Sequence, residues 1–183
     1  VPAEPARSFH EALQAIHFFS FTLWELYYFG RIDQYLYPYY KAVAAATEKP
    51  VVLYNVPGRT GVNMTAETTL RLAEIDNIVA VKEASGNRTQ ILEILEKRPE
   101  GFVVLSGNDD ETLDLMKNGA EGIISVASNV TPSMVAELAH DMLEGKVAEA
   151  EALHDRLLPL FRNCFVESNP IPAKAALHAM GFI

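Results

Sequence analysis

Between residues 50 and 143 one pattern recurs four times: a short apolar run, a turn-rich stretch, then a helical pattern. The first run is Val51-Val52-Leu53-Tyr54, opened by Pro50 and followed by Asn55-Val56-Pro57-Gly58-Arg59-Thr60-Gly61. Thr65 is then placed to cap a helix over 66–74. The second unit is Ile78-Val79-Ala80-Val81-Lys82, a loop over 83–87 and a helix over 88–97. The third has a run over 102–105, the loop Ser106-Gly107-Asn108 and a helix over 109–118. The fourth has a run over 122–126, a loop over 127–130 and a helix over 132–143. Short apolar runs bounded by turns, each leading into a helix, predict buried parallel strands joined by crossover helices. The fold class is α/β.

The flanks differ from this middle. A helix with Tyr40, Val43 and Ala44 on one side is expected to end near Thr47, just before the first strand. Helices over 147–165 and 171–180 have no strand between them and form a helical tail. The spacing therefore divides the chain into a divergent segment over 1–35, the alternating units over 36–145 and the helical region over 146–183. Only Tyr54, Phe102, Phe161, Phe165 and Phe182 among the aromatic residues lie beyond Tyr40, so the first segment is dense in them. Ser8 and Glu11 have the spacing of a capping box. Leu13, Ile16, Phe19, Leu23 and Leu26 make a stripe, and Phe18, Phe21 and Trp24 carry apolar surface around the rest of the axis. Such a helix is expected to be buried, by the core or by another subunit.

Charge and length narrow the function. The chain has 15 basic and 24 acidic residues, a formal net charge of −9, and no basic run to neutralise phosphates. No nucleic-acid partner is expected. The longest apolar stretch, 13–29, is broken by Gln14, His17, Ser20, Thr22 and Glu25, so no membrane span is expected, nor a secretory leader. The single Cys164 allows no internal disulfide, which fits a reducing compartment. The five histidines are scattered, and His10 with His17 on one helix face is a weak pair, so no metal site is expected. A complete (β/α)8 barrel needs roughly 250 residues and rarely fewer than about 200. At 183 residues this chain does not contain one.

In parallel α/β folds the chemistry lies beyond the carboxyl ends of the strands. Tyr54 ends the first run, Lys82 the second, Ser106 and Gly107 follow the third, and Ser125 lies near the end of the fourth. A lysine at a strand end is ordinarily solvated or ion-paired. Here the run before Lys82 is wholly apolar, and a desolvated amine is freed for Schiff-base chemistry with a carbonyl. Tyr54 alone reads as a core residue with its hydroxyl at the rim, but on the adjacent parallel strand it becomes a candidate proton shuttle. Arg59, in a loop stiffened by Pro57, is either a surface arginine or a bidentate carboxylate clamp. Gly107 allows close backbone approach. Glu83 is read as a loop charge on the other side of the strand from Lys82. Asp109, Asp110 and Glu111 are read as helix N-terminal charges, and Asn169-Pro170-Ile171-Pro172 as structural.

Five stretches carry a resemblance. Tyr54-Asn55-Val56-Pro57-Gly58-Arg59-Thr60-Gly61, Val81-Lys82-Glu83-Ala84-Ser85-Gly86-Asn87, Leu105-Ser106-Gly107-Asn108-Asp109, Gly122-Ile123-Ile124-Ser125-Val126 and Asn169-Pro170-Ile171-Pro172 stand in this order. Together they closely resemble the dihydrodipicolinate synthase family, from about Leu36 to the C-terminus. The resemblance implies a partial TIM (β/α)8 barrel, its second-half βα units, with a C-terminal helical tail. It implies that Lys82 forms a Schiff base with pyruvate and that Tyr54 relays protons. Arg59 matches the arginine that binds the carboxylate of aspartate semialdehyde, and Gly107 and Ile124 match positions lining the pyruvate pocket. The related N-acetylneuraminate lyases generally lack an arginine in this loop. The resemblance further implies a cytoplasmic homo-oligomer that needs no metal and no cofactor.

The chain departs from the family pattern in its first part. It has no Gly-Thr-Thr-Gly-Glu-type loop, whose threonine links two catalytic tyrosines in the family. Pro38-Tyr39-Tyr40 imitates a family stretch from the missing half but falls, in register, in the helix before the first strand. Two classes of function follow: a condensing lyase whose half-barrel is completed by another chain or by the aromatic segment, and an inactive relative that acts through self-association. A different pyruvate-dependent aldolase of the N-acetylneuraminate lyase superfamily is the remaining alternative.

Overall fold

The computed structural model describes residues 33–183. The expected helix capped by Ser8, its aromatic stripe, and the face shared by His10 and His17 lie outside the described residues. Helix α1 (Asp33–Ala45) leads to strand β1 (Val51–Asn55), a one-turn helix α2 (Pro57–Thr60) and helix α3 (Ala66–Leu72). Strand β2 (Ile78–Glu83) precedes α4 (Arg88–Lys97), and β3 (Val103–Ser106) precedes a 3-10 turn over Asp109–Glu111 and α5 (Thr112–Lys117). Strand β4 (Gly122–Ile123) is followed by a second 3-10 turn over Ala127–Asn129 and α6 (Pro132–Leu143). Helices α7 (Val147–Asn163) and α8 (Ile171–Ala179) complete the chain.

The four strands form one sheet in the order β1-β2-β3-β4, every pair parallel. Alternation along each strand sorts the side chains into two faces. Leu53, Val81 and Val104 point to the helices and are fully buried among Leu72, Ile91, Ile94 and Leu115. Each such aliphatic side chain contributes about 1.5–3 kcal/mol through burial. The opposite face is open, as a partial barrel implies: Val52 is 48% exposed and Tyr54 45%. Among the described residues nothing covers it. A second apolar cluster joins α6 to α7, with Val135 and Leu138 packed on Leu157, Phe161 and Cys164, and it extends beneath the turn at Ala127.

Caps explain where the helices begin. Thr65 Oγ1 accepts from the Thr68 amide at 3.2 Å, as its position predicts. Asn87 caps α4 in the same way, accepting from the Gln90 amide at 3.2 Å. The Asn77 side chain donates to the carbonyls of Ala44 and Thr47, both at 2.9 Å, and so ties the end of α1 to the start of β2.

Three expectations require correction. The fourth strand is two residues long rather than five, so Ser125 lies beyond the sheet. The stretch after Tyr54 is partly helical, because Pro57 pre-sets the first turn of α2 and Gly61, at φ 71°, ends it in a left-handed cap. Helix 109–118 is a 3-10 turn followed by a shorter α-helix.

Candidate active site

The parallel ladder places the candidate residues. Tyr54 and Lys82 are register partners on β1 and β2, so their side chains leave the same, open face of the sheet. The Lys82 ammonium nitrogen lies 4.2 Å from the centroid of the Tyr54 ring, within the range of a cation–π contact. Lys82 pairs in turn with Leu105 on β3, and the Ile124 amide donates to the Ser106 carbonyl at 2.9 Å. Ile124 is 41% exposed, beside a site that is itself open.

Gly107 is the floor under the lysine. A Cβ built on it would lie 2.6 Å from Ala84 Cβ, 2.9 Å from the Glu83 carbonyl oxygen and 3.1 Å from Lys82 Cε. Only a residue without a side chain lets the lysine stem and the β2 terminus approach this closely. The Gly107 amide donates to the Glu83 carbonyl at 2.6 Å, which joins the end of β2 to the loop after β3.

Behind the pair, on the helix-facing side, stand Asn55 and Glu83, each one residue past a candidate and again register partners. Glu83 is fully buried. This corrects the reading of Glu83 as a loop charge: it ends β2, although it does face away from Lys82. Its Oε1 accepts from Asn55 Nδ2 at 2.7 Å, and its Oε2 accepts from the Ser85 hydroxyl at 2.6 Å. Burial pushes the Glu83 carboxyl above the usual glutamate range, and the bonds from Ser85, Asn55 and Gln90 oppose that shift. Asn55 Oδ1 also accepts from the Met64 amide at 3.0 Å, and Gln90 donates to the Met64 carbonyl at 3.0 Å.

Asp109 stands at the start of the 3-10 turn, as a helix N-terminal charge should, but it is fully buried. Its carboxylate accepts from the Ser125 hydroxyl, from the Val126 amide at 3.0 Å and from the Ala127 amide at 3.2 Å. It therefore fixes the path of the chain just after Ile124.

Arg59 stands apart. It lies on α2, is exposed, and forms no hydrogen bond or ion pair through its side chain among the described residues. The structure thus brings together Tyr54, Lys82, Gly107 and Ile124 at the carboxyl edge, with Arg59 in the turn beyond it. Asn55, Glu83 and Asp109 are buried and hydrogen-bonded behind this edge, with partners that the sequence reading did not identify. Strand parity carried a signal for the first two, since residues following Tyr54 and Lys82 must share the opposite face. A primary amine beside a phenol on an open face can add to a carbonyl and exchange protons with the adduct.

Known proteins supply an independent comparison. The sequence profile described as the Dihydrodipicolinate synthetase family matches residues 24–183. The 4-hydroxy-tetrahydrodipicolinate synthase of Archaeoglobus fulgidus is 51% identical over 146 residues, which are 80% of this chain and 50% of that protein. The structure of dihydrodipicolinate synthase from Thermotoga maritima superposes with a TM-score of 0.81 at 43% identity, covering 82% of this chain and 52% of the other. The chloride-inhibited dihydrodipicolinate synthase of Acinetobacter baumannii, solved in complex with pyruvate, gives 0.80 at 42% identity, with 82% and 52% covered. The chain spans about half the length of the curated relatives it matches. Strand register, helix order and sequence identity agree that the chain belongs to the dihydrodipicolinate synthetase family and corresponds to the C-terminal part of its TIM barrel.

Proposed function

We propose that this chain carries the Schiff-base centre of a 4-hydroxy-tetrahydrodipicolinate synthase, which condenses pyruvate with L-aspartate 4-semialdehyde in lysine and diaminopimelate biosynthesis. The observation that carries this reading is the Lys82 nitrogen 4.2 Å from the Tyr54 ring at the carboxyl edge of a parallel sheet. The Lys82 amine adds to the keto carbon of pyruvate, and loss of water from the carbinolamine gives an imine. Tyr54 exchanges the protons that this dehydration requires. Removal of a methyl proton turns the imine into an enamine, whose carbon attacks the aldehyde and forms the new carbon–carbon bond. The amino group of the semialdehyde portion then displaces Lys82, closing the ring and restoring the free lysine. Gly107 and Ile124 line the pyruvate side, and Arg59 binds the semialdehyde carboxylate bidentately. A homo-oligomer in the cytoplasm is part of the same reading, supported by the single cysteine and the uncovered sheet face. Among the described residues no helix is long and apolar enough to cross a membrane.

Incubation with pyruvate and borohydride, followed by peptide mass spectrometry, tests the centre directly. A reduced adduct on Lys82 is expected, absent from Lys82→Ala and unchanged in Arg59→Ala, which instead slows consumption of the semialdehyde. No adduct on the wild-type lysine overturns the Schiff-base reading, and an adduct retained in Lys82→Ala moves it to another residue.

A further inference from the structure

Tyr54 and Lys82 reach their common face from two separate strands, and nothing in their own side chains fixes how those strands end. The next residues do. Asn55 and Glu83 are the following register pair, both buried, and their side chains are joined at 2.7 Å. The Ala84 amide donates to the Asn55 carbonyl at 2.9 Å and the Gly107 amide to the Glu83 carbonyl at 2.6 Å. Three strand ends are thus tied within two residues of the lysine. Ser85 closes the far side of the carboxylate at 2.6 Å, and Gln90 stands 3.5 Å from its near oxygen.

We propose that the buried Asn55–Glu83 pair is a positioning clamp that holds Tyr54 and Lys82 in register for imine formation. An apolar pair of similar volume would stabilise the sheet as well or better, since a buried carboxylate carries a desolvation cost. What the polar pair adds is direction: a carboxylate with donors on both oxygens accepts one strand alignment and rejects a slipped one. The distinction matters because a displacement of about 1 Å at reacting groups slows a reaction on the order of a hundredfold.

This rests on the Schiff-base reading of Lys82, and the experiment separates the two. The maximal rate of borohydride-trapped adduct formation and the half-saturating pyruvate concentration are measured for wild type, Glu83→Ala, Asn55→Ala, the double variant and Glu83→Gln. Hydrogen exchange at the Ala84 and Gly107 amides is followed in the same proteins without pyruvate. In Glu83→Ala the maximal rate falls about tenfold, with half-saturation kept within about twofold, a loss in rate rather than binding. The double variant loses little more than either single one, because the two residues act as a unit. Glu83→Gln restores most of the rate, since its carboxamide can accept from Asn55 and donate to Ser85. Exchange at both amides accelerates in the alanine variants. Where Glu83→Ala does not fold, Asn55→Ala and Glu83→Gln carry the same comparison. A wild-type adduct formed equally fast in the alanine variants, or amide exchange unchanged by them, overturns the clamp. Absence of the wild-type adduct overturns the Schiff-base reading, while amide exchange still decides whether the pair ties the strands.

Discussion

At Gly107 the spacing leaves no room for a methyl group. A Cβ there would lie 2.6 Å from Ala84 Cβ and 2.9 Å from the Glu83 carbonyl oxygen, and neither yields without moving the end of β2, while the Lys82 stem at 3.1 Å would have to turn aside. Gly107→Ala is therefore expected to cost about 1–3 kcal/mol of stability through overpacking. It is also expected to lower trapping of pyruvate on Lys82 more than the loss of folded protein accounts for. Thermal denaturation and borohydride trapping on the same preparation check this, and an alanine variant with wild-type trapping would remove Gly107 from the site. Tyr54 and Lys82 were legible in the sequence because each stands at the carboxyl end of an apolar run, whereas Ile124, inside its run, was marked only by the family resemblance. Asn55, Glu83 and Asp109 were less so: strand parity gives the first two a face, but nothing local shows that any of the three is buried with partners distant in sequence. Glu83 meets Asn55 across 28 positions, and Asp109 meets Val126 across 17.

Among the elements, the strand–helix alternation and the caps at Thr65 and Asn87 were set locally, and the structure places all four strands in chain order. What periodicity did not reveal is where a strand stops, since that depends on partners elsewhere. The apolar run over 122–126 has the composition of a full strand, yet the ladder ends at Ile123. Beyond it the Val126 and Ala127 amides turn to Asp109 instead of to another strand, and the Ser125 hydroxyl joins them. Three donors converge on one buried carboxylate, and hydrogen bonds to charged groups are the stronger kind. Asp109→Ala leaves those donors unpaired and is expected to cost about 3 kcal/mol, lowering the melting temperature by on the order of 10 °C. Asp109→Asn, which keeps one acceptor oxygen, is expected to lose less. Calorimetry on both variants decides whether this carboxylate ends β4, and equal melting temperatures for wild type and Asp109→Ala would show that it does not.

For the whole molecule, the constraint is the sheet face opposite the helices. Half of a barrel leaves this face open, and Val52, Tyr54 and Ile124 are each more than two-fifths exposed there. The outer strands β1 and β4 each have one neighbour among the described residues. An apolar face bordered by strand edges is a template for association in a lone 20.2 kDa chain. The sequence supplies an opposing force: a formal net charge of −9 repels copies of the chain from one another. The two forces respond oppositely to salt. Screening weakens the repulsion while leaving apolar burial intact, with a Debye length near 8 Å at about 0.15 M. Sedimentation velocity is therefore expected to show assemblies heavier than 20.2 kDa that grow with protein concentration and with added sodium chloride. Val52→Glu places a charge on the open face outside the candidate site and is expected to return the chain to monomer with its circular dichroism unchanged. Association driven instead by surface ion pairs would weaken as salt is added. That opposite trend, or a monomeric wild type at every salt concentration, would show that this face is not what joins the copies.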